Sequence, residues 1–135
     1  MADYSVTAAS VVRTANTAIA EGTAGGTITA GMAVYIDTSD SSKIKACDAD
    51  VSATSVAAGI ALHGAANGQP LKYATSGNLT FNTAFTTGDV VCVSTTPGGI
   101  APYADLASGD FVTVLGIATS TSNLRVQINA SETAK

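Results

Sequence analysis

Gly31-Met32-Ala33-Val34-Tyr35-Ile36 is answered, 57 positions further on, by Gly88-Asp89-Val90-Val91-Cys92-Val93. The same offset carries Gly59-Ile60-Ala61 to Gly116-Ile117-Ala118 and Asp48 to Asp105. Each copy opens on a glycine and runs into apolar and β-branched residues, the composition of a strand entered from a turn. The order that follows is the same in both. Met32 to Ile36, or Asp89 to Val93, leads into a turn at Asp37 to Ser42, or Ser94 to Gly99. A return strand comes next, Lys43 to Ala46 or Ile100 to Tyr103. Pro102 has no N–H to donate to a ladder, which places the second return strand at an edge. A polar connection holding Asp48 and Asp50, or Asp105 and Asp110, precedes the most apolar strand, Val56 to Leu62 or Phe111 to Ala118. Gly59 and Gly116 in its middle predict a bend or bulge. Leu71 to Ala74, or Leu124 to Ile128, closes each copy, and Asn78 to Phe81 reads as one more strand between them.

The repeated unit therefore covers about 31–74 and 88–128. Many short strands punctuated by Gly and Pro predict an all-β fold, a small barrel or sandwich built from two similar β units. No amphipathic run is long enough for a major helix, and Asp48 to Ala57 has room for one helical turn. Ahead of the repeat, Ala9 to Arg13 and Thr17 to Ala20 read as short strands, and Glu21 to Gly26 as a turn. Residues 1–10 read as an N-terminal arm, in which Tyr4, Val6 and Ala8 alternate weakly. Such an arm is either free or a strand that pairs only with a partner. Residues 11–135 form a single β domain.

A chain of 135 residues fits one domain and buries about two-thirds of its unfolded surface, so it needs no disulfide or metal staple. Charged residues are 12% of the chain, against a usual share of about 25%, and the net charge is −4. The six basic residues are scattered, with no cluster larger than Lys43/Lys45. Phosphate recognition needs clustered cations, so direct nucleic-acid binding is not expected. Val56 to Ala66 is the most apolar stretch, too short and too Gly-broken to span a membrane. Met1-Ala2-Asp3-Tyr4 lacks the basic start of a secretory signal, and synthesis in a cytoplasm is expected. A weakly charged, hydroxyl-rich surface desolvates easily and suits a protein packed against others.

The residues that could carry chemistry do not assemble into a constellation. Asp48-x-Asp50 resembles the start of a calcium loop, but Val51 to Val56 supplies no further acid, and a solvated turn accounts for both. Gly22 to Gly26 lacks the Lys-Ser/Thr tail of a phosphate loop and reads as a flexible turn. His63 has no partner His, Cys or Glu nearby in sequence and reads as a polar residue ending a strand. Cys47 and Cys92 are too few for a disulfide framework. Cys92 stands where Tyr35 stands in the first copy and reads as a small apolar strand residue. The absence of Trp weighs against a sugar-gripping face. The expectation is a non-enzymatic protein with no cofactor and no metal.

Three stretches resemble a family of tailed-bacteriophage capsid decoration, or cement, proteins. They are Gly22-Thr23-Ala24-Gly25-Gly26-Thr27-Ile28-Thr29-Ala30-Gly31 with Val34-Tyr35-Ile36-Asp37; Gly59-Ile60-Ala61-Leu62-His63-Gly64-Ala65 with Gly68-Gln69-Pro70-Leu71; and Thr96-Pro97-Gly98-Gly99-Ile100 with Ala104-Asp105-Leu106 and Val114-Leu115-Gly116-Ile117-Ala118. The resemblance runs from about Val11 to Ile128, and a looser similarity to the lambda-type head decoration family runs from Val34 to Phe81. It implies a structural virion protein on the outer surface of the capsid, made in the host bacterial cytoplasm. Such a protein binds junctions between major capsid protein subunits, commonly as a homotrimer, and stabilises the expanded shell. The alternative is a β domain of a head fibre or host-adhesion module. Residues 2–13 are expected to help fasten the protein to its capsid, with Tyr4, Val6, Val11 and Val12 as contact residues that have no partner in the repeat pattern.

Overall fold

The computed structural model describes residues 3–135; Met1 and Ala2, the first residues of the expected arm, lie outside the described residues. Two strands precede the repeat, β1 (Val12–Arg13) and β2 (Ala18–Thr23). Copy one supplies β3 (Ala33–Asp37), β4 (Lys43–Ala46), the single-turn helix α1 (Ser52–Ser55), β5 (Gly59–Ala61) and β6 (Pro70–Thr80). Copy two supplies β7 (Val90–Val93), β8 (Ile100–Pro102), β9 (Phe111–Ala118) and β10 (Asn123–Ala134). The chain is all-β, as the pattern predicts: 46% strand and 8% helix, in one antiparallel sheet of ten strands curled into a half-barrel.

The duplication is visible in the strand order, β4-β3-β5-β6-β10-β9-β7-β8, whose two halves mirror each other about the β6–β10 pair. Pairing is the same to the residue at the start of each copy. Ala33 faces Ile60 and Val34 faces Gly59; at the same offset Val90 faces Ile117 and Val91 faces Gly116. Gly59 and Gly116 occupy matching places because the next strand passes too close for a side chain. A Cβ on Gly59 would lie 2.3 Å from the Ala74 carbonyl oxygen, and one on Gly116 would lie 2.0 Å from that of Arg125. Gly31 and Gly88, which open the copies, match as well, with φ of +90° and +91°.

Several elements differ in extent from the sequence expectation. Leu71 to Ala74 and Asn78 to Phe81 join into the single strand β6, which turns at Gly77 (φ +92°) instead of breaking. The stretch Val56 to Leu62 shrinks to β5, because Val56 caps α1. Ala8–Ser10 is a three-ten turn, and only Val12–Arg13 of the expected Ala9 to Arg13 strand pairs, with Leu79 and Thr80 of β6. β10 continues past Ile128 to Ala134 along β9, with two register shifts.

Two hydrophobic clusters sit on opposite sides of copy one. The larger joins both copies and holds Ala33, Ile60 and Ala74 with Val91, Leu115, Leu124 and Val126. The smaller lies on the other face of the same strands, where Val34, Ala61, Leu71 and Tyr73 pack under Ala24 and Ile28. Strand side chains alternate between faces, so copy one is covered on both sides.

Candidate functional site

The N-terminal segment runs onto the chain's own body. Tyr4 N–H donates to the Ile100 carbonyl across 3.0 Å, on the outermost strand β8. Its hydroxyl donates to Asp89 Oδ2 across 2.6 Å, and its ring meets Phe85 edge-on at 4.9 Å. Burial, and then Asp89, push the Tyr4 phenol well above its ordinary pKa. Asp3 accepts a hydrogen bond from Ser94 Oγ at 2.6 Å, and Asn82 clasps the segment by accepting from Thr7 N–H and donating to the Ser5 carbonyl. Val6 packs on the turn at Gly31, where a Cβ would lie 2.6 Å from Val6 Cγ1. Val11 is buried in the larger cluster.

This placement corrects the expectation that residues 3–10 are a free arm or pair only with a partner. Of the four contact candidates, Tyr4, Val6 and Val11 serve the chain's own core, and only Val12, at 55% exposure, faces outward. The weak alternation of Tyr4 and Val6 did signal a strand-like segment seeking an edge. The edge it found is β8 of the same chain.

The opposite end of the sheet is sealed in the same way. Ala24 bridges to Ile44 of β4, and Gly25 N–H donates to the Ile44 carbonyl at 2.7 Å. Glycine is required there, since a Cβ on Gly25 would lie 2.9 Å from Lys43 Cβ. The glycine-rich stretch is thus an edge cover. Covered edges stop one sheet from adding strands of another indiscriminately.

The other sequence candidates are occupied locally. His63 Nδ1 lies 2.9 Å from the Gly64 carbonyl and Nε2 accepts Lys72 N–H at 3.0 Å, so the ring pins the connection between β5 and β6. Asp48 Oδ1 accepts Asp50 N–H at 2.9 Å in a local turn. Among the described residues no group of three or more His, Cys, Asp or Glu could hold a metal ion. Cys47 and Cys92 are both free and buried. Desolvation raises both thiols, Cys92 to about 11.

No family model, curated protein or solved structure matches this chain.

The two copies differ in what covers them. In copy one, Ala33 and Ile60 are fully buried. Their counterparts Val90 and Ile117 are cross-strand neighbours on the outer face of copy two, at 37% and 46% exposure, and Arg125 lies beside Ile117. The glycine-bearing face of copy two looks into the shared cluster, and its other face is exposed at Val90 and Ile117 although Cys92, further along the same strand face, is buried. The β hairpin turns also differ. Ser94 to Gly99 is folded inward, with Gly98 N–H donating to the Cys47 carbonyl and Ala33 N–H donating to the Gly98 carbonyl. Asp37 to Ser42 stands out from the body, held by Lys45, whose ammonium lies 2.8 Å from Asp37 and 2.9 Å from Asp40. Sequence reasoning missed the bare face, because Val and Ile in a strand read as core, and nothing local says which face a distant segment covers.

Proposed function

We propose that the protein is a structural component of a tailed-bacteriophage virion, a decoration protein that binds the outer surface of the expanded capsid. On this reading it acts as a homotrimer at junctions between major capsid protein subunits and holds them together. The observation that carries the reading is the bare face of copy two: Val90 and Ile117 present apolar area at a position that copy one buries completely. Apolar area removed from water contributes about 25 cal/mol per Å², so two such side chains per copy make a modest contact. Three copies engaging at once turn modest contacts into firm attachment. The sealed sheet edges support the same reading, because a protein present at many sites on a particle must not pair strands with its own neighbours at random.

The test is occupancy on undecorated expanded shells. Ile117→Asp with Val90→Ser lies on an exposed face and should leave the β spectrum unchanged while lowering occupancy at least tenfold. Saturation of shells by this variant at the parent concentration would overturn the reading of that face. Attachment at only a few sites per particle would favour the head-fibre alternative.

A further inference from the structure

A cleft of about 310 Å³ opens between β1, β2 and the start of β6. Val11, Ile19 and Leu62 form its apolar part, and Arg13, His63 and Lys72 its polar part. Both imidazole nitrogens of His63 are engaged by backbone, which leaves Arg13 and Lys72 as the charges the cleft offers. Among the described residues neither cation is in an ion pair, although Glu21 stands across the strand from Lys72. Two cations outside any ion pair over an apolar floor are notable in a chain of net charge −4.

The complement is on the same molecule. Val51, at 53% exposure, and Val56, at 37%, project beside α1. Asp48 and Asp50 immediately precede Val51, and the Phe111 N–H to Ala49 carbonyl bond brings Asp110 alongside. Asp48 first, then burial and Asp110, raise the Asp50 carboxyl. The nearby Lys135 ammonium is turned away onto the Tyr103 and Leu106 carbonyls and the Tyr103 ring. The result is an apolar tip beside an acidic patch. It shares no residue with the cleft and is built on other strands, since α1 packs on β9 and β10.

We propose that the cleft of one molecule receives the Val51 tip of a second copy, with Arg13 and Lys72 meeting Asp48 and Asp50. Two different surfaces meeting in this way make a head-to-tail contact, which closes into a ring when the rotation between copies allows. Paired charges at such a contact set its register and speed its formation, and salt weakens them. This deepens the self-association in the decoration reading and does not depend on the shell.

The experiment is sedimentation of the isolated full chain over a concentration series, at low and high salt. The parent should associate, and less so in high salt. Arg13→Glu with Lys72→Glu, and separately Asp50→Arg with Val51→Arg, should each weaken association about tenfold or more. Both sets are exposed, and an unchanged β spectrum checks the fold. An equimolar mixture of the two variants should associate again, because each now offers what the other lacks. A parent that stays monomeric at its highest soluble concentration, association indifferent to both reversals, or a mixture that does not recover would each overturn the proposal. Loss of shell binding with self-association intact would count against the decoration reading alone.

Discussion

The two copies pair their strands identically and are covered differently. Val34 over Gly59 and Val91 over Gly116 are the same contact. Yet the face carrying Val34 lies under Ala24 and Ile28, while the face carrying Val91 looks into the shared cluster. The reverse face of copy one is buried by copy two, and the reverse face of copy two is open at Val90 and Ile117. Two like units stacked front to back must leave one front and one back without a neighbour. Residues 24–28 cover one of these surfaces, and the other is left exposed at Val90 and Ile117. Binding surfaces in a duplicated fold arise where this covering stops, and the repeated residues themselves need not be special.

The sharpest way to break the comparison is at the crowded glycines. Gly59→Val and Gly116→Val should each destabilise by about 3 kcal/mol, because the new side chain would enter a neighbouring strand's backbone. Thermal melting checks it, and a parent-like transition in either variant would show that the two glycines are not equivalent. The opening glycines separate strain from crowding. At Gly88 nothing lies within 4 Å of where a methyl group would stand, so Gly88→Ala should cost about 1–2 kcal/mol from its positive φ alone. Gly31→Ala adds a collision with Val6 and should melt lower than Gly88→Ala. Equal melting of the two would mean that residues 3–10 do not rest on copy one in solution.

The hairpin turns should show the smallest effects, and at opposite ends of the pH scale. The turn Ser94 to Gly99 and its strand are held from outside by Asp3 and Tyr4. Tyr4→Phe keeps the ring contact and loses the bond to Asp89, for about 1 kcal/mol. Because the folded state raises the Tyr4 phenol, its contribution is complete below about pH 10 and fades as pH rises further. Tyr4→Phe should therefore lose less stability than the parent at alkaline pH. The turn Asp37 to Ser42 holds itself. Lys45 first, and then Ser39, lower the Asp37 carboxyl to about 2. Its contribution is present above about pH 4 and is lost as pH falls through about 2. Lys45→Met should flatten that acid limb and, because Asp37 and then Asp40 raise the Lys45 ammonium in the fold, also remove its share of the alkaline loss, a slight change visible in melting temperatures at low salt. An unchanged acid limb would mean that the Asp37–Lys45 pair contributes nothing to folding.

What the sequence determined by itself was where the strands lie. The 57-residue offset identified the strands of both copies, and β4 and β9 have the bounds read from residues alone. The helical turn lies within Asp48 to Ala57, and the mid-strand glycines mark a close approach in each copy. These features are legible because turn chemistry and strand composition act over a few neighbouring residues. What only the tertiary structure decided was coverage. Tyr4 lies 96 positions from Ile100, and Arg13 lies 59 positions from Lys72. No local pattern announces that the first pair seals an edge or that the second shares a cleft. Val90 and Ile117 have the same residue character as buried strand positions, so only the path of other segments tells core from surface. A strand presents both of its faces in its sequence with equal clarity, and the burial of each is settled by whatever the rest of the chain brings to it.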